Sequence, residues 1–428
     1  MSASYTSTKI SETIGYHSIV DPKFKTNTIK LQLMLPLDPK RSAGYALATS
    51  LLFTSTRKYP SIAALSRKMN QLYGAHASVD TGKMGDFQIY TMTFSALSNR
   101  FALEGEDILG ELLQILKDCI FDPNTENGGF SETEYSIKVK DLLDTIDAEI
   151  NNKRGYAIRQ TARLAFQGEP AAHSCYGTKE DVLALTPQTT FEAYEELLRS
   201  AAIEIYYVGP EEQPRIVSFL SEVFSGIPRT QEKLNFHNTP SPLKAELVTK
   251  TEKLPVTQCK MVMAFKTDCA DFFTINFMNF LFSVTPFSLL FTNVREKRSL
   301  CYYCTGSYIE SKQALFVDCG IEKANIETAK EEILHQLNAV RQGDFSDELL
   351  ENTRISIVNA LHGIGDTPSS YIRWYFSELT RGTSRTPQEA AEIYKAITRE
   401  MVMEAARSFQ LDCIYIMEAT GEEDAVNG

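Results

Sequence analysis

Polar and apolar residues alternate along 26–37, TNTIKLQLMLPL, with Ile29, Leu31, Leu33 and Leu35 on one side. A period of two marks a strand with one buried face. The period then changes. Residues 43–55 predict a helix. In 61–73, SIAALSRKMNQLY, Ile62, Leu65, Met69 and Leu72 form one helical stripe, and Gly74 ends it. Strands follow over 75–83 and 86–96, parted by a Gly-rich turn. Helices near 104–119, 131–150, 154–166 and 188–199, then a strand at 201–208 (AAIEIYYV), complete the first half.

Periodicity stops over 226–252, a stretch with three prolines that reads as a linker. Beyond it the order repeats. A strand at 256–266 is followed by helices near 271–282 and 287–297, strands at 300–309 and 313–321, helices at 324–341 and 346–362, and a closing strand at 412–418. The succession β–α–α–β–β–α–α…β thus occurs twice, offset by roughly two hundred residues, which indicates a duplicated domain and not a solenoid. The expected division is 1–225, a linker at 226–252, and 253–428. The polar end, GEEDAVNG, reads as frayed.

Composition narrows the function classes. The chain has 428 residues, 43% of them hydrophobic, enough for more than one core. Its net charge of −12 argues against nucleic acid as a partner. The opening MSASYTSTKISETIG has no basic-then-apolar pattern, and no apolar run is long enough to span a membrane. Eight scattered cysteines are not a disulfide framework, so free, mostly buried thiols in a reducing cytoplasm are expected.

The search for chemistry removes several options. The six histidines (17, 76, 173, 237, 335, 362) include no two within one helical turn, so none of the predicted helices presents a zinc-binding pair. Each is expected at the surface or satisfied in the core. Cys301 and Cys304 form a C-x-x-C, but it opens a predicted strand instead of a helix. Residues three apart on a strand face opposite ways, so the pair reads as accidental. No phosphate-binding glycine loop and no G-x-S-x-G is present.

Two stretches carry a pattern. The first is GYALATSLLFTSTRKYPSIAALSRKMNQLYGAHASVD, 44–80; the second is Arg295-Glu296-Lys297-Arg298-Ser299-Leu300-Cys301-Tyr302. With the duplicated halves, they make the chain resemble the pitrilysin/insulinase-like zinc metallopeptidases of the mitochondrial processing peptidase type, along nearly its whole length. The resemblance implies an α+β fold of two homologous domains, each a mostly antiparallel sheet of about six strands covered by helices, closing as a clamshell. That family carries H-x-x-E-H before an apolar M-L-F. Aligning Leu51-Leu52-Phe53 puts Ala46 and Ser50 at the histidine positions and Thr49 at the general base. Two glutamates seven residues apart correspond to Lys138 and Thr145, the second completing the zinc site in the family. Alanine, serine and threonine offer zinc no ligand of comparable strength, so no metal-activated water and no base are expected. On the residues alone, 44–56 also reads simply as an amphipathic core helix. The family's R-E-x-x-x-L-x-Y survives as Arg295 and Tyr302, a pair implied to bind the peptide backbone or carbonyl. Read without the family, Arg295 caps a helix end and Tyr302 packs in a sheet.

The combination implies a catalytically inactive subunit with no cofactor of its own. Its expected partners are a zinc-bearing paralogue in a cytoplasmic heterodimer and an extended peptide substrate added at a sheet edge; alone, a homodimer and a monomer both stay open. Two alternatives stand beside it. One is a structural or adaptor protein that keeps the fold without proteolysis. The other is an autonomous peptidase with an unusual Cys or Asp/Glu metal site.

Overall fold

The computed structural model describes residues 3–230 and 239–420. The expected frayed end at 421–428, His237 and part of the expected linker therefore lie outside the described residues. The first half runs β1 (Ser4–Ser11), β2 (Ile14–Val20), β3 (Thr26–Pro36), α1 (Ser42–Leu51), α2 (Ile62–Gln71), β4 (His76–Met84), β5 (Phe87–Leu97), α3 (Ile108–Phe121), a small hairpin β6 (Thr125–Glu126) and β7 (Gly129–Phe130), α4 (Glu132–Asp147), α5 (Lys153–Ala165), α6 (Lys179–Leu183), α7 (Pro187–Ser200), β8 (Ala202–Gly209) and α8 (Pro214–Ser225). The second half runs β9 (Val248–Leu254), β10 (Cys259–Lys266), α9 (Phe272–Asn279), β11 (Cys301–Ile309), β12 (Ala314–Ile321), α10 (Ile326–Gln342), α11 (Asp347–His362), α12 (Pro368–Thr380), α13 (Pro387–Lys395), α14 (Arg399–Ser408) and β13 (Gln410–Ala419). Among the described residues, no helix is long and apolar enough to cross a membrane.

The duplication is visible in strand order. One sheet is β1-β2-β8-β3-β5-β4 and the other β11-β12-β10-β13-β9. In each, one parallel pair (β2 with β8, β9 with β13) is followed by antiparallel neighbours in the same succession. Strand β1 is the addition in the first sheet. Strand β9 occupies the end of the segment expected to be linker. Its sequence, VTKTEKL, is polar because it is an edge strand with most side chains in solvent, so its alternation is faint.

Two compact units form. The first contains Met1–Asp147, His173–Phe236 and Thr367–Arg373; the second contains Ala148–Ala172, His237–Asp366 and Trp374–Gly428. In the first, Ile29, Leu31, Leu33 and Leu35 are buried as their alternation demands, against α1, α3 and α7 residues such as Leu47, Leu112 and Leu197. On the opposite face of that sheet His17 is buried, stacked on Tyr206 at 4.4 Å. Its Nε2–H donates to Glu204 Oε2 at 2.8 Å, and Nδ1 lies 2.8 Å from the Tyr5 hydroxyl. It is a satisfied core histidine, as expected. His76, His173, His335 and His362 are exposed.

In the second unit both sheet faces are covered. Met261, Met263, Phe265, Leu315 and Val317 face α9 to α14. Val262, Ala264, Phe316, Tyr415 and Met417 face α5 and its continuation through Phe166 and Ala171. Burial on both faces explains why β10 and β12 read as nearly continuous apolar runs, broken only by Lys260, Lys266 and Asp318.

One exposed network in the first unit gives a measurable acid response. Asp107 caps α3, accepting from Gly110 N at 3.1 Å and from both guanidinium nitrogens of Arg215, on α8, at 2.7 Å. Arg215 holds its carboxyl down at about 2, against an ordinary 3.8. The folded value is the lower one, so this stability is present above 3.8 and is lost as pH falls toward about 2. Asp107→Ala is expected to cost about 1 kcal/mol near neutrality. In urea titrations its gap to the parent should narrow through that acid window; a constant gap overturns the assignment.

Candidate functional site

Helix α1 is apolar on nearly every side and lies inside the core, where such a helix belongs. Ala46 is buried. Thr49 is fully buried and its hydroxyl donates back to Tyr45 O at 2.9 Å and Ala46 O at 3.1 Å. The Ser50 hydroxyl donates to Leu47 O at 2.8 Å. Helix α1 packs against α4. There the Thr145 hydroxyl donates to Asp141 O at 2.8 Å, and Lys138 pairs with Asp141 at 3.0 Å. The four zinc-site positions thus fall on two neighbouring helices, but they bring no imidazole and no carboxylate, and each hydroxyl is spent on its own helix. These residues do not fit a zinc ion. Among the described residues, no cluster of three or more His, Cys, Asp or Glu is arranged to hold a metal.

Glu134, which the sequence did not single out, is buried on α4 with Oε2 unpartnered. Eleven residues separate it from Thr145, roughly 16 Å along a helix, so it does not replace the missing ligand. Restoring the general base at Thr49 would place a carboxylate where no donor waits. Thr49→Glu is expected to destabilise the fold by about 2 kcal/mol or more, read as a lower urea midpoint. An unchanged midpoint would mean that the position opens to water.

Arg295 and Tyr302 come together. Arg295 lies in the last turn of a π-helical segment, Leu290–Lys297, a winding that recurs at functional sites. Its guanidinium sits 4.7 Å from the Phe291 ring centroid and 3.4 Å from Glu296 Oε1. Ser299, at φ +50, then turns the chain into β11. The register of β11 on β12 slips between Cys301 and Tyr303, leaving Tyr302 as the extra residue of a β-bulge. Tyr302 projects outward, 61% exposed, its hydroxyl donating to Glu322 Oε1 at 3.3 Å. Both side chains line one open cavity of about 430 Å³, with Ser299, Leu300, Glu322 and Asn325. An Arg fork and a phenol O–H on one pocket are donors suited to a peptide carbonyl.

The bulge also corrects one expectation. Cys301 and Cys304 do not face opposite ways. The extra residue turns both thiols inward, where they join the core of the second unit. A bulge is set by pairing with a distant strand, so local spacing did not reveal it.

The chain is similar to known proteins over nearly its whole length. The family model described as "Peptidase M16 inactive domain" matches residues 184–357. The probable inactive metalloprotease YmfF of Bacillus subtilis (strain 168) is 25% identical over 408 residues, 94% of this chain and 95% of that protein. A conserved protein from Enterococcus faecalis V583 has the same fold, with a TM-score of 0.89 at 24% identity over 98% of this chain and 99% of the other. So does a peptidase M16 inactive domain from Pseudomonas fluorescens, with a TM-score of 0.78 at 13% identity over 98% of each chain. By the match over residues 184–357, the full-length likeness to a probable inactive metalloprotease and a helix without zinc ligands, the chain is similar to the inactive members of the M16 peptidase family.

Proposed function

We propose that this chain is the zinc-less subunit of a heterodimeric peptidase, working in the cytoplasm beside a zinc-bearing M16 paralogue. In this reading the paralogue supplies metal and base, and this chain supplies Arg295 and Tyr302 to the peptide and helps to close the chamber. The observation that carries it is the contrast between two places in one chain. The positions that would run hydrolysis are filled by Ala46, Thr49, Ser50 and Thr145, while Arg295 and Tyr302 stand on one open pocket with their donors in reach of a ligand.

The test is a mixing experiment. The purified chain alone is expected to hydrolyse no peptide. Combined with a zinc-bearing paralogue from the same genome, it should form a complex whose turnover exceeds that of the paralogue alone. Absence of a complex, or a complex with no gain in turnover, overturns the reading.

A further inference from the structure

Behind the Arg/Tyr pocket lies a group of thiols that peptide binding does not use. Cys301 lines the cavity beside Arg295. Cys304 lies on the same inner side of the bulge, in the same core, and Cys319 on β12 faces Cys304 directly across the strand pair. The three sit at one end of β11, which is the edge strand of its sheet. They are not arranged as a metal site.

We propose that Cys301 and Cys304 form a peroxide-reactive dithiol, in which Cys301 is the thiol attacked and Cys304 the one that resolves it into a disulfide. Position separates the roles. Only Cys301 of the three reaches the cavity, where a small oxidant can enter. Cys304 and Cys319 are more deeply buried. The electrostatics agree. The hydrogen bond from Cys304 and, more weakly, the charge of Arg295 lower the Cys301 thiol against the opposing effect of burial. Cys304 is pushed well above its ordinary value, first by its bonds to Cys301 and Cys319 and then by burial. A pocket-facing thiol that ionises more readily is the one that peroxide meets first.

The chemistry balances in two steps. The Cys301 sulfur attacks one peroxide oxygen; the S–O bond forms, the O–O bond breaks, and hydroxide leaves with the thiol proton as water. The Cys304 sulfur then attacks the Cys301 sulfur; the S–S bond forms, the S–O bond breaks, and a second water leaves with the Cys304 proton. Two electrons pass from the two sulfurs to the peroxide.

A disulfide needs Cα atoms about 4.4–6.8 Å apart, closer than residues three apart on an extended strand. The bond therefore forms only if the bulge tightens, and an edge strand yields because it gives up pairing on one side alone. Tightening re-aims Tyr302, the residue on the bulge. The effect on peptide binding rests on the function proposed above; the thiol chemistry does not.

The experiment needs no substrate. The reduced full-length protein is treated with a stoichiometric amount of hydrogen peroxide, alkylated with iodoacetamide and cut with trypsin. Cleavage after Arg298 and Lys312 puts both thiols in one peptide, 299–312, and Cys319 in the next, 313–323. The expected product is 299–312 without either alkyl group and lighter by two hydrogens, restored by dithiothreitol. Cys304→Ser should stop the reaction at a Cys301 sulfenic acid that dimedone traps. Arg295→Ala should slow it roughly two- to fivefold, the worth of an exposed charge pair. Oxidation confined to the half-buried Cys175 or Cys269, or a cross-link joining 299–312 to 313–323, overturns the proposal. Either failure would leave the peptide-binding reading untouched, because no peptide enters the measurement.

Discussion

Tyr302→Phe in this chain is expected to lower the turnover of the mixed complex about a hundredfold, the usual effect of removing one donor to a developing oxyanion. The size of the effect follows from how little else the hydroxyl does. The ring is 61% exposed, and its oxygen donates a long 3.3 Å bond to Glu322. Surface substitutions of this kind change stability by about 0.5 kcal/mol or less. Loss of activity with an unchanged melt and unchanged assembly would therefore report on substrate. Arg295 behaves differently. It sits over Phe291 and beside Glu296, and its fork is suited to a backbone carbonyl. Arg295→Ala should raise KM and lower turnover together, and Arg295→Lys should recover only part of the loss, because an ammonium is a point charge without the planar fork. Mixed complexes of Tyr302→Phe and Arg295→Ala that stay fully active would remove these residues from the site.

The pair was legible in the sequence because its spacing is local. Seven residues across a helix-to-strand turn bring the two positions near each other, and the bulge against β12 then turns Tyr302 outward. The residue types at Ala46, Thr49, Ser50 and Thr145, none of them a zinc ligand of the family's kind, are read directly from the sequence. The alternation of β3 and the double order of elements likewise follow from local periodicity. What escaped depends on partners far along the chain. Strand β1, SYTSTKIS, half-buries only Tyr5 and Ile10 and otherwise faces solvent, so its period is nearly silent. Strand β9 hid in an expected linker because a parallel pairing with β13 makes it a strand. The inward turn of Cys301 and Cys304 comes from a register slip against β12. The membership of α5 is the largest such case. It lies in the first half by sequence and packs in the second unit.

That membership predicts that the halves are not separable. A fragment of residues 253–428 contains the strands β10 to β13 and every helix on one side of their sheet, yet it should fail to fold cooperatively. It lacks Ala148–Ala172, which cover the other side. Without them Val262, Ala264, Phe316, Tyr415 and Met417 meet water. Three polar anchors also vanish. Asp318, nearly fully buried, loses the two-pronged grip of Arg154, at 2.6 and 3.0 Å. Lys312, fully buried, loses Glu169 at 2.6 Å. Lys266 loses the carbonyl of Ala165 at 2.8 Å. A buried charge stripped of its partner costs about 3–5 kcal/mol, so two such losses approach the whole stability of a typical domain. In the intact chain the same argument is tested more gently by Phe166→Ala. Phe166 is 3% exposed and stacks on Phe316 at 5.7 Å between centroids. Its truncation is expected to cost about 3–5 kcal/mol in denaturant unfolding. A cooperative melt of 253–428 on its own, or a Phe166→Ala chain as stable as the parent, would show that the second sheet holds together without the helix lent by the first half. Failure of both variants to match the parent would mean that the duplicated unit is completed only when its neighbour's segment is laid across it.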